Sequence, residues 1–142
     1  MAATAQDTKA LVDVSTKGAD SFVELFYKLY DNQRELLSRF YRDSSAILWN
    51  GNAYSGVAPF AEFCKKLPTT SHEIHTFDCH PLLATMNSQG STSILVNVNG
   101  TVKYGDEQQS RQFNQTFILA PDIEKVGNYY VGGDTFSHPS ST

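Results

Sequence analysis

A chain of 142 residues, 40% of them apolar, is the length of one domain and can bury a full core without disulfides or metal. Charged residues make up only 18%, against about 25% in an average domain; 41 Ser, Thr, Asn and Gln residues fill the difference, and the net charge is −4. That balance excludes tight nucleic-acid binding by this chain's own counterion release. No run approaches the ~18 apolar residues of a membrane span, and MAATAQDTKA has neither the basic nor the apolar part of a secretory signal, so none is expected.

Residues 1–7 and 138–142 are small and polar and read as flexible tails around one domain, 8–137. Ala19, Phe22, Val23, Phe26, Tyr27 and Tyr30 form one apolar helical stripe, which Leu11 and Val14 extend backwards; Asp20, Glu24, Lys28 and Asp31 take the outer face. Leu36, Leu37 and Phe40 continue as a short second helix. Ala46–Trp49 is a strand that ends at the turn signal Asn50-Gly51-Asn52. After Ser55-Gly56, Pro59 suits the first turn of a third helix bearing Phe60, Phe63, Cys64 and Leu67, which Pro68 stops. Residues 72–80, 94–104, 113–119 and 129–136 then read as strands, Gly132-Gly133 in the last implying curvature or a bulge. The order implies an α+β domain with helices on one face of a curved, mainly antiparallel sheet.

By alternation, the sheet face turned away from the helices carries Asn97, Asn99, Thr101, Asn114, Thr116, Ile118 and Thr135. A solvated face is the plainer reading, but the central strands are almost uncharged there, and depletion of charge marks an interface core. The face therefore reads as a protein-binding surface. His72, His75, Cys79 and His80 lie close in sequence. On a regular strand, however, His72 and His80 share one face and His75 and Cys79 the other, so no tetrahedral metal site is expected. No Ser-His-Asp set, Gly-rich phosphate loop or paired carboxylates stand out, and no cofactor is implied. Lys65, Lys66, Lys103 and Arg111 are too few and scattered for an RNA patch.

Leu37-Ser38-Arg39-Phe40-Tyr41, Leu48-Trp49-Asn50-Gly51-Asn52-Ala53, Ser55-Gly56, Phe63 through Leu67-Pro68, Asp78-Cys79 and Pro81 follow one another in order. Gly100-Thr101-Val102-Lys103-Tyr104 and Phe113-Asn114-Gln115-Thr116-Phe117-Ile118-Leu119 complete the series. Over residues 8–137 the chain resembles the nuclear transport factor 2-like family, and within it the small subunits of mRNA export receptors. The resemblance implies a cone of three helices against a bent sheet. It implies a heterodimer with the related domain of a TAP-type large subunit, which would engage Phe-Gly nucleoporins while RNA is held only indirectly. It also implies residence in the nucleus and at the nuclear pore, with shuttling to the cytoplasm and no membrane contact. Trp49, Asn50, Gly51, Asn52, Phe113, Gln115, Phe117, Asp134 and Phe136 are the family-motif or core positions. One departure is visible: where the family usually has an arginine and an apolar residue after Asp134-x-Phe136, this chain has Ser137 and His138. The alternative within the family is a homodimeric Ran-GDP import carrier, whose acidic loop would correspond to Asp106 and Glu107. The same cone also hosts small-molecule enzymes, for which Tyr27, Trp49, Asp78, Gln115 and Asp134 would be the pocket groups; as structural residues they are core or strand ends, and no catalytic residue is assigned.

Overall fold

A computed structural model describes residues 5–125 and 128–138, with 5–16 as helix backbone only. Helix α1 runs Ala5–Asn32 and is followed by a 3-10 helix, Arg34–Phe40. Strand β1 is Tyr41–Trp49, β2 Asn52–Ser55, helix α2 Val57–Lys66 and β3 Thr70–Leu82. A 3-10 turn at Leu83–Thr85 precedes β4 (Ser93–Tyr104), β5 (Arg111–Pro121) and β6 (Tyr129–Ser137). The strands form one sheet in the order β2-β1-β6-β5-β4-β3; β1 and β6 are parallel and every other neighbour is antiparallel. This is the expected α+β architecture, three helices on a curved, mostly antiparallel sheet.

The stripe on α1 does what its period requires. Ala19, Val23, Phe26, Tyr27 and Tyr30 are buried, and the Phe26 and Phe22 rings each meet Phe117 of β5 at 4.9 Å between centroids. Val96, Val98 and Val102 of β4 and Val131 and Phe136 of β6 complete the inner layer. The second helix is a 3-10 helix, with Leu37 buried and Phe40 packed against the core.

Three features differ from the sequence expectation. First, β1 starts at Tyr41 instead of Ala46. Its first half pairs irregularly with β6, and the fully buried Ser45 fills the gap, its hydroxyl donating to Val131 O (2.5 Å) while accepting from Arg42 N–H (2.9 Å). Second, β2 is an extra strand. Asn50 (φ 49) and Gly51 (φ 86) make the two-residue, positive-φ turn that suits a tight hairpin, so the chain re-pairs at Asn52. Third, β3 carries a bulge at His75, opposite Gly100; a Cβ on Gly100 would run into the carbonyl oxygen of Glu73. The bulge shifts the alternation, so His72, Phe77 and Cys79 turn toward the core while His75 and His80 are exposed. The expected pairing of His72 with His80 on one face is thereby corrected.

The tail boundaries also move. Residues 5–7 belong to α1, and His138 is only 8% exposed. Its backbone N–H donates to Asn50 Oδ1 (3.2 Å), and its ring nitrogens lie 3.0 Å from Gln112 O and from the Tyr104 hydroxyl. The rest of the expected tails, 1–4 and 139–142, lies outside the described residues.

Candidate protein interface

The strand registers assemble the outer face of the sheet into rows. One row is Asp78, Asn97, Thr116, Thr135, Leu48 and Ala53; the next is His80, Leu95, Ile118, Gly133, Ala46 and Ser55. All seven residues expected on this face are there, none of them buried. The titratable members of these rows, Asp78 and His80, both stand on β3 at the sheet edge. Ser137, at the position where the resemblance implies an arginine, extends a third row from Asn99 and Asn114, so that row too stays neutral.

The face has two chemical halves. On β4 and β5 the amides satisfy one another: Asn97 Nδ2 donates to Thr116 Oγ1 (2.8 Å) and Asn114 Nδ2 to Asn99 Oδ1 (2.7 Å), with longer contacts of 3.3 Å between Asn97 and Asn114. Desolvating such groups leaves few unmet hydrogen bonds. Around Ala46 and Leu48 of β1, Ile118 of β5 and Gly133 of β6 the surface is apolar. Leu48 and Ile118 are each 41% exposed, and they border a shallow trough of about 470 Å3.

Beneath the sheet lies a buried polar chain. Tyr27 donates its hydroxyl proton to Gln115 Oε1 (2.6 Å), Gln115 Nε2 donates to Asp134 Oδ1 (2.8 Å), and Tyr41 donates to Asp134 Oδ2 (2.5 Å). Burial pushes the Asp134 carboxyl up to about 6, against the opposing pull of the two donors. Burial, and then the nearby Asp134 charge, raise the Tyr27 and Tyr41 phenols. Of the five candidate pocket groups, Tyr27, Gln115 and Asp134 converge here. Asp78 is exposed on the opposite side of the sheet, and Trp49 packs between Phe63 (5.0 Å) and the parallel ring of Phe136 (5.1 Å). Asp134 is buried, and each of its oxygens accepts from a protein donor, so the carboxyl ties β6 to β5 and to the start of β1. A general base would need one of those oxygens within reach of a substrate proton.

Sequence reasoning missed two members of these networks. Tyr41 opens an irregular stretch with no periodic signal. Asp31, expected on the outer face of α1, instead turns to β3: its Oδ2 accepts from His72 N–H (2.9 Å), and its Oδ1 lies 2.6 Å from His72 Nδ1 and accepts from the Thr70 hydroxyl (2.9 Å). In the β4–β5 loop Asp106 and Glu107 are exposed, and Glu107 pairs with Arg111 of its own hairpin at 2.9 Å. The thiol of Cys64 is raised to about 12, chiefly by burial.

The Nuclear transport factor 2 (NTF2) domain profile matches residues 18–138. NTF2-related export protein 2 of Homo sapiens is 37% identical over 117 residues, covering 82% of this chain and 81% of that protein. Nuclear transport factor 2 of Oryza sativa subsp. japonica is 34% identical over 120 residues, covering 83% and 91%. Among solved structures, nuclear transport factor 2 from Cryptosporidium parvum has a TM-score of 0.71 at 24% identity over 84% of this chain and 90% of that one. The structure of the Chaetomium thermophilum Mex67 NTF2-like domain complexed with Mtr2 matches at a TM-score of 0.65 and 21% identity, over 87% and 85%. At these identities the two structures establish the fold.

Proposed function

Since this chain belongs to the nuclear transport factor 2 family and is homologous to the NTF2-related export proteins, we propose that it is the small subunit of a heterodimeric nuclear mRNA export receptor. In this reading the domain lays its outer sheet face against the NTF2-like domain of a TAP-type large subunit. The observation that carries the reading is the pair of neutral rows crossing the sheet from β4 to β2. Charge is costly to strip of water, whereas apolar groups and amides already bonded to one another are cheap to cover.

The role is that of a stabiliser. Binding only the folded partner holds that partner in its folded form by mass action, about 4 kcal/mol at a thousand times the dissociation constant. The large subunit then presents its Phe-Gly sites to the pore while its other domains hold RNA, and the complex shuttles between nucleus and cytoplasm. The homodimeric Ran-GDP carrier is the competing assembly, favoured by the 34% identity to the Oryza sativa protein. Against it stands the pairing of Glu107 with Arg111 within the same hairpin.

The test is the mass of the complex by light scattering, for this chain alone and with the NTF2-like domain of a TAP-type subunit. The expected species is a one-to-one heterodimer. Thr116→Glu puts a charge at the centre of the neutral rows. An unpaired buried charge costs about 3–5 kcal/mol, which is roughly a hundred- to a few-thousand-fold in dissociation constant. A Thr116→Glu chain that binds as tightly as its parent refutes the assignment of this face. A stable homodimer that binds Ran-GDP and ignores the large-subunit domain refutes the export reading.

A further inference from the structure

Two sheets packed face to face lie about 10 Å apart, and side chains from both fill the gap. One central position on this face adds nothing to that layer. Gly133 of β6 stands between Ile118 of β5 and Ala46 of β1, on the floor of the trough that Leu48 and Ile118 border. The fold does not need glycine there. Gly133 is not among the glycines with positive φ, and a Cβ on it would rest 3.7 Å from the nearest Ile118 atoms, an ordinary contact. The neighbouring Gly132 is the one that serves curvature, being the extra residue where the β5–β6 register shifts between Ile118 and Leu119.

We infer that the trough over Gly133 receives one large, uncharged apolar side chain from the sheet face of the large-subunit domain, and that this insertion sets how the two sheets register. The inference rests on the heterodimer reading above. A small side chain opposite Gly133 would leave a void, because this chain supplies no atoms to fill it. A charged one would lose its hydration without a counter-charge. Among the described residues no basic one lines the trough, and the carboxyl of Asp134, its one acidic residue, turns inward onto Tyr41 and Gln115. The adjoining amide cluster is bonded internally and demands no particular donor opposite, so positional information falls to the trough.

Gly133→Leu fills the trough from this side. Titration calorimetry against the NTF2-like domain of the large subunit should show at least tenfold weaker binding, with the melting temperature of the variant chain unchanged. Leu48→Ala, which removes a wall, should weaken binding severalfold. An alanine scan of the large apolar residues on the partner's sheet face should find one whose truncation weakens the parent complex but restores binding to the G133L chain. If G133L binds like the parent while Thr116→Glu does not, the trough inference is overturned and the face stands. If neither weakens binding, the face itself is wrong. Should G133L lower the melting temperature, Leu48→Ala decides, and unchanged affinity there overturns the inference. A loss confined to self-association of this chain would make a second copy the occupant and overturn it too.

Discussion

The buried carboxyl of Asp134 predicts a pH dependence of unusual sign. Burial raises it from the usual 3.8 to about 6, a gap that amounts to about 3 kcal/mol at ~1.4 kcal/mol per decade of proton affinity. Because the folded-state value lies above the unfolded one, the fold binds an extra proton between the two. The stability this group contributes is complete below the unfolded value and is lost as pH rises through 6. Integrated over the span from pH 5 to pH 7.5, the loss is about 1.4 kcal/mol. Asp134→Asn cannot titrate, so the difference between parent and variant isolates this group from all others. The single tryptophan, Trp49, reports unfolding in urea. Between pH 5 and pH 7.5 the parent should lose about 1.4 kcal/mol more than the Asp134→Asn chain. Tyr41→Phe, which removes a donor to the ionised form, should enlarge the parent's loss. Parallel pH profiles for parent and Asp134→Asn, or a parent that gains on the variant as pH rises, would refute the reasoning.

Two further predictions concern other parts of the fold. Gly100→Ala pushes a Cβ into the Glu73 carbonyl across the β3 bulge and should cost about 1–3 kcal/mol in urea denaturation, whereas Gly18→Ala, in open space on α1, should gain about 0.5–1 kcal/mol; equal effects at the two sites would contradict the close approach. Replacing Asp106 by Asn together with Glu107 by Gln should leave heterodimer affinity unchanged in calorimetry, and a Ran-GDP affinity that vanishes in this double variant would reverse the order of the two functional readings.

Long, regular elements were legible from sequence. The α1 stripe holds a 3.6-residue period, and β4 alternates strictly from Ile94 to Val98, so each announces both its type and its buried face. The outer-face residues followed from the same alternation. What escaped was local or distant. Strand β2 is four residues long, too short for any period to show. A one-residue bulge at His75 reversed the faces of everything after it in β3, because a side-chain period of two converts any slip into a flip. Tyr41 and Asp134 are 93 residues apart, and Asp31 meets His72 across 41; no local pattern marks a partner at that range. The hairpin turn was legible for a chemical reason, since Asn50 and Gly51 tolerate the positive φ that the turn requires.

The place of β6 in the sheet has a consequence for how the molecule is made. In chain order it is the last strand, yet it sits between β1 and β5. During synthesis, which releases the chain N-terminal end first, the β1–β2 hairpin and the β3–β4–β5 meander emerge as two separate half-sheets, each with an open edge prone to mispairing. Only the arrival of residues 129–137 welds them, through one parallel and one antiparallel ladder. The rows of the outer face cross β6 at Gly133 and Thr135, so that face does not exist until the weld is made. In the proposed heterodimer, a copy cut short before β6 would therefore lack the face that the partner reads.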